Sequence, residues 1–147
     1  MKKKCLFLGY TSKETDIIDF LRKKNFIVSE HRNKSLSFSL TKKYDLILSY
    51  GYTKIIKKNI IENLKRPIIN FHISYLPFNR GANPNFWSFK DKTPKGVTIH
   101  EIDVGIDTGD ILFQKKINFL IKKNTSLKDT YVILRNQIEK LFKKNFN

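Results

Sequence analysis

The amino-acid sequence predicts an α/β fold: a doubly wound, mostly parallel sheet that takes strands of mixed direction in its second half and closes with a C-terminal helix. Three observations predict it. Short apolar runs at residues 3–9, 26–29, 44–49 and 68–71 are separated by segments that include apolar positions at helical spacing, and strands alternating with helices imply right-handed crossovers between parallel neighbours. The run at 44–49 is apolar and short, as a strand buried on both faces requires. Beyond residue 96 the character changes, because Val97 and Ile99 alternate with Thr98 and His100 and a further strand-like run covers 110–119.

Each element has its own signal. The run at 3–9 ends in Gly9, and Thr11-Ser12-Lys13-Glu14 carries capping-box spacing ahead of Ile17, Ile18 and Leu21, so strand, turn and helix are expected. Residues 26–29 form a short second strand, and the polar stretch 31–43 lacks a clear period, which fits a compact connection or a short helix. After the strand at 44–49, Ile55, Ile56, Ile60 and Leu64 share a helical face. Pro67 then opens a fourth strand at 68–71, a position where proline is tolerated. Phe86, Trp87 and Phe89 follow Pro84 at helical spacing, and packing of that helix on the sheet is their simplest use. Ser126 opens a closing helix with Leu127, Tyr131, Leu134, Ile138 and Leu141 in register. No internal repeat or low-complexity linker interrupts the chain.

At 147 residues the chain is the size of one domain, long enough to bury a core without staples, so a single domain over 1–147 is expected. A lone cysteine, Cys5, rules out an intrachain disulfide and a metal site built on paired cysteines. The first apolar run is too short for a membrane span and no small-residue cleavage site follows it, which makes the cytoplasm the expected compartment, without a membrane partner. The formal charge of +16 invites a nucleic-acid reading. The residue types argue against it: only Arg22, Arg32, Arg66, Arg80 and Arg135 are arginine, and the lysines are scattered as solvated surface. A modest attraction to polyanionic substrates, nucleotides included, remains. A homodimer stays open, since no exposed patch is readable from one sequence.

In an open α/β sheet the ligand crevice lies beyond the carboxyl ends of the strands. Ser49-Tyr50-Gly51-Tyr52, the loop from Asn70 to Asn85 and the turn from Asp103 to Asp110 should emerge there. Asn70 and His72 are two apart, so on a continuing strand both side chains leave from one face and offer an amide and an imidazole to one reacting atom. Alone, that pair reads equally as a turn with a satisfied buried histidine, and a Gly-bracketed acidic turn is common in plain loops.

Longer patterns decide between these readings. Asn70-Phe71-His72-Ile73-Ser74-Tyr75-Leu76-Pro77 followed by Arg80-Gly81-Ala82 and Pro84, and then Gly96-Val97-Thr98-Ile99-His100 with Asp103-Val104-Gly105-Ile106-Asp107-Thr108-Gly109-Asp110-Ile111, resemble the two signatures of the folate-dependent formyltransferases. The resemblance is sharp over about a quarter of the chain. It implies a Rossmann-like formyltransferase core in which 10-formyltetrahydrofolate donates its formyl group to an amine, with no metal required. By position it implies that Asn70, His72 and Asp107 are catalytic, that Ser49, Tyr50, Gly51 and Tyr52 together with Val104, Gly105, Ile106 and Asp107 hold the reduced folate, and that Ser74, Arg80 and Gly81 lie on the acceptor side. Asp107 would orient His72, raise its pKa or bind a proton-relaying water.

Within the family, elimination favours one acceptor, with methionyl-tRNA formyltransferase-like and glycinamide ribonucleotide formyltransferase-like enzymes kept as alternatives. Methionyl-tRNA formyltransferases carry a further C-terminal domain, for which no sequence remains here, and the glycinamide ribonucleotide enzymes have a glycine-rich loop where this chain has Gly9-Tyr10-Thr11-Ser12. What remains is similar to the sugar N-formyltransferases, and the expected acceptor is the amino group of a nucleotide-linked amino sugar. The chain is short for this core, so a catalytic domain cut back at its C-terminus is expected, and a non-catalytic relative that keeps only the fold is the rival reading. His100 is expected to be structural and His31 exposed. Gly9 lacks a G-x-G companion, so no dinucleotide fingerprint is present.

Overall fold

In the computed structural model, which describes residues 1–146, the expected α/β sheet is present. The elements run β1 (Lys4–Gly9), α1 (Ile17–Lys23), β2 (Ile27–His31), α2 (Phe38–Thr41), β3 (Leu46–Tyr50), α3 (Lys58–Asn63), β4 (Ile69–His72), α4 (Pro84–Lys90), β5 (Gly96–Glu101), β6 (Ile111–Lys116) and α5 (Leu127–Asn145). The six strands take the order β2-β1-β3-β4-β5-β6. Two compact units divide the chain, one of residues 1–70 with 101–104, the other of 71–100 with the chain from 105 onward.

In the first unit, β1 lies between β2 and β3 and β3 pairs with the start of β4, all parallel. Such strands are covered on both faces and must be apolar on both; in β1, Cys5 through Leu8 are all buried. Leu6, Leu8, Ile47, Ile60 and Ile68 form the core of this unit with Leu36, and Leu40, Tyr44, Tyr52, Ile56, Leu64 and Ile102 pack around it. Each such side chain contributes on the order of 1.5–3 kcal/mol when fully buried.

Three local expectations differ from the structure. Glu14 does take the Thr11 N–H at 2.9 Å, but the pair closes a turn of its own, and α1 starts only at Ile17 behind Asp16. The expected helical face holds only at Ile60: α3 runs Lys58–Asn63, so Ile55, 92% exposed, and Ile56 lie in the preceding loop and Leu64 follows the last helical residue. His31 is also placed differently from expectation, partly buried at the end of β2 with its Nε2 2.9 Å from the Lys34 carbonyl.

In the second unit β5 and β6 pair antiparallel, with a register shift between Ile99 and His100. The α5 helix is started by a capping box, in which the Ser126 hydroxyl accepts the Asp129 N–H and the Asp129 carboxylate accepts the Ser126 N–H. Its buried stripe is Thr130, Leu134, Ile138 and Phe142, a four-residue repeat. Leu127, expected on that stripe, is exposed, while Tyr131 and Leu141 are partly buried.

The α4 helix is also corrected. Its buried residues are Asn85 and Ser88, whereas Phe86 and Trp87 are exposed, with the Lys90 ammonium 4.7 Å above the Trp87 ring. Asn85 explains the choice: its amide donates to the Leu127 carbonyl and to Thr130 Oγ1, so a hydrogen-bonded polar contact, rather than an aromatic one, joins α4 to the start of α5. Among the described residues, no helix is long and apolar enough to cross a membrane.

Candidate active site

The second unit brings three titratable side chains together. His72 ends β4, His100 lies on β5, and Asp107 sits in the turn after it with a left-handed backbone, φ 50°. The Asp107 carboxylate lies between the two rings: Oδ2 is 3.5 Å from His72 Nδ1 and Oδ1 is 3.4 Å from His100 Nε2. Oδ2 also accepts the Gly81 N–H at 2.7 Å, which ties the turn to the loop after β4. The second His72 nitrogen, Nε2, is 2.9 Å from the Asn79 carbonyl. Both histidines are buried, at 7% and 1% exposure.

Electrostatics follow from burial and these contacts. Burial pushes the His72 pKa down, and although the Asp107 charge and the Asn79 carbonyl pull it up, the net shift is below the ordinary imidazole value, helped by the neighbouring His100. The two partners therefore pull against each other: Asp107 favours a cationic His72, yet burial wins and leaves a neutral ring at pH 7. Asp107 is the reverse case. Burial pushes its carboxyl up, but the hydrogen bond from His100, the charge of His72 and the Gly81 N–H together hold it below the usual carboxylate value. An anionic carboxylate beside a neutral, buried imidazole can accept and hold a proton during a reaction.

The other sequence-predicted residues take varied places. Ser74 is buried, and its hydroxyl donates to the Phe78 carbonyl, so it is engaged within the loop. Arg80 is exposed. Gly81 has φ 84°, and a Cβ there would meet Ile106 at 3.8 Å, which places the 70% exposed Ile106 side chain against this loop. Gly105 precedes it so closely to Thr108 that a Cβ would approach the threonine hydroxyl at 2.0 Å. In the first unit, Asn70 is in register with Ser49, Val104 is exposed, and Tyr52 is partly buried with its hydroxyl donating to the Lys34 carbonyl at 2.6 Å. Ser49 and Tyr50 are buried at the end of β3, and Gly51 turns at φ 70°.

Sequence reasoning missed three supports. Gly9 has φ 99°, and a Cβ there would lie 2.2 Å from the Tyr50 carbonyl; Tyr10 follows it, edge-on to Tyr50 at 4.8 Å. Its lack of a second glycine distracted from this close approach, which a glycine at a strand end signals. Thr98 and Gln114 brace the loop after β4, with Thr98 donating to the Ser74 carbonyl and Gln114 donating to the Leu76 carbonyl. Asn79, with φ 57°, accepts a 2.6 Å hydrogen bond from Thr93 Oγ1 on its side-chain oxygen. No local sequence signal marks the last two, because they depend on residues that only the fold brings together. Among the described residues no cluster of histidine, cysteine and carboxylate side chains is arranged to hold a metal.

The formyl transferase family model matches residues 1–143. This chain belongs to the formyl transferase family. The formyltransferase PseJ from Anoxybacillus kamchatkensis, solved in complex with UDP-4,6-dideoxy-4-formamido-L-AltNAc and tetrahydrofolate, is 44% identical, with TM-score 0.87 over 96% of this chain and 73% of that one. A 4-N formyltransferase from Francisella tularensis shares the fold at TM-score 0.82 and 24% identity, over 97% of this chain and 66% of its own. A methionyl-tRNA formyltransferase from Finegoldia magna is 35% identical over 120 residues, covering 80% of this chain and 34% of the relative. One from Solibacter usitatus is 47% identical over 66 residues, 44% of this chain and 21% of the relative. The chain thus spans about a third or less of the curated relatives it matches.

Proposed function

We propose that this chain transfers a formyl group from 10-formyltetrahydrofolate to a primary amine, and that the amine belongs to a nucleotide-linked amino sugar. The observation that carries the reading is the 44% identity over 96% of the chain to PseJ, whose complex holds both a formamido sugar nucleotide and tetrahydrofolate. The pair of buried His72 and partly buried Asp107 supports the reading, since it offers the proton-transfer chemistry such a reaction asks for.

In the proposed step the amine nitrogen attacks the formyl carbon, a C–N bond forms, and a tetrahedral oxyanion develops. The Asn70 amide, two residues before His72 on β4, and the His72 ring stabilise that charge. The attacking nitrogen passes its proton to neutral His72 and Asp107 stabilises the imidazolium; the oxyanion then re-forms the carbonyl, the C–N bond to the folate breaks, and the imidazolium returns the proton to the departing folate nitrogen. Ser49, Tyr50, Gly51 and Tyr52 with Val104, Gly105 and Ile106 are assigned to the folate, and Ser74, Arg80 and Gly81 to the acceptor side. A single catalytic domain, acting in the cytoplasm without a metal, completes the reading. Cys5 plays no part in it: burial pushes its thiol up to about 12, so it stays protonated.

A methionyl-tRNA acceptor is the second reading, favoured by the names of the curated relatives. The higher coverage of PseJ, 73% of its length against 34% of the Finegoldia enzyme, weighs toward the sugar.

Calorimetric titration of the purified chain with a reduced folate tests the donor site, with Asp107→Ala beside the wild type. Micromolar binding that the substitution weakens at least tenfold, about 1.4 kcal/mol, is expected. A folded wild type that binds no reduced folate overturns the proposal.

A further inference from the structure

We infer that Asn79 and Thr93 are positioning residues that fix the tautomer of His72, so that Nε2 carries the proton of the neutral ring and Nδ1 is the nitrogen that takes the substrate's proton. The inference deepens the formyl-transfer reading and rests on it for its kinetic arm alone.

A neutral imidazole has one N–H and one lone pair, and the partner of one nitrogen decides the role of the other. His72 Nε2 faces the Asn79 carbonyl oxygen at 2.9 Å, and a carbonyl only accepts. The Asp107 carboxylate facing Nδ1 also only accepts, but it is 3.5 Å away against 2.9 Å, so the shorter, hydrogen-bonded contact puts the proton of the neutral ring on Nε2. Nδ1 is left with its lone pair, 3.5 Å from Asp107 Oδ2. Before reaction that contact sets a lone pair against a carboxylate. Once Nδ1 accepts a proton it becomes an ion pair, so Asp107 rewards protonation at this nitrogen and at no other. The reverse tautomer would satisfy Asp107 but turn the Nε2 lone pair against the carbonyl, in a site from which water is largely excluded.

The Asn79 carbonyl reaches His72 because the residue adopts a left-handed backbone at φ 57°, which asparagine tolerates better than most side chains. What holds it there is Thr93, in the loop between α4 and β5: its hydroxyl donates to Asn79 Oδ1 at 2.6 Å, in preference to the Ser88 carbonyl at 3.5 Å. Thr93 touches neither His72 nor Asp107 in any hydrogen bond, so its influence on the ring passes through Asn79. Such a residue acts on a tautomer, a readout that mere loss of stability does not move.

The chain has three histidines, so nitrogen-15 NMR of the full protein assigns the His72 ring by its absence in His72→Gln. At a pH where the ring is neutral, the wild type is expected to show one tautomer, with protonated Nε2 and unprotonated Nδ1. Thr93→Val should mix in the second tautomer and lower kcat for formyl transfer about tenfold or more while KM for the amine changes less than twofold, and Thr93→Ser should restore both. A wild-type ring protonated on Nδ1 overturns the inference, and that measurement needs no variant to fold. A folded Thr93→Val protein with the wild-type tautomer and the wild-type pH profile overturns the role of Thr93. The expected tautomers in a protein that transfers no formyl group would uphold the positioning and reject the formyl-transfer reading instead.

Discussion

Burial and charge oppose each other at His72, and the balance sets how the site responds to pH. Because burial holds the folded pKa below 6.5, the neutral ring persists into mildly acidic solution, and the acid limb of kcat/KM is expected below pH 6.5. Asp107→Asn removes the charge that pulls this pKa up, so the limb should move to lower pH while the plateau rate falls about 10²-fold. A pH–rate profile of the two proteins checks both; a limb that moves upward contradicts the assignment. Stability carries the same sign. As pH falls through the ordinary imidazole range the unfolded chain takes up a proton that folded His72 resists, so stability should decline there, and His72→Gln should flatten the decline in denaturant melts. The nearness of His72 to Asp107 was legible in the sequence because both belong to long patterns. Asn79 and Thr93 were not, because a hydrogen bond across fourteen residues depends on a left-handed turn that no periodicity announces.

Among the elements, the signals that proved legible were those in which one physical requirement dominates. Strand β1 had to be apolar on both faces, and α5 was legible in its start behind Ser126 and in Leu134 and Ile138, whereas the capping box and the burial of Thr130 and Phe142 in place of Leu127 were not. Ser126→Ala is expected to cost about 0.5–2 kcal/mol, read from the denaturant midpoint with the slope unchanged. Gly9→Ala should cost more than about 1 kcal/mol, since it demands a positive φ and drives a methyl group into the Tyr50 carbonyl; a neutral effect would mean that the loop yields. The helix α4 misled for the opposite reason. Its aromatic residues suggested a buried face, but Asn85 and Ser88 are small and hydrogen-bonded within the second unit, and the cation of Lys90 covers Trp87 from outside. Likewise Ile55 matched a helical period that α3 starts too late to use.

For the whole molecule, the charge of +16 is spread over many lysines, which supports non-specific attraction to polyanions without a code for sequence. RNA binding, if measured across a salt series, should be weak and vanish by physiological salt, whereas formyl transfer to a small amine should persist. The α/β class was legible because strand and helix periods alternate along the chain, while the acceptor was not, because its pocket is a matter of side chains beyond the shared signatures. The most direct measurement incubates the purified chain with 10-formyltetrahydrofolate and a panel of nucleotide-linked amino sugars, and follows the product by mass spectrometry beside His72→Gln. Addition of one formyl group by the wild type, reduced at least a hundredfold in the variant, is the expected result. A folded wild type that formylates none of the panel, or a variant as active as the wild type, would contradict it.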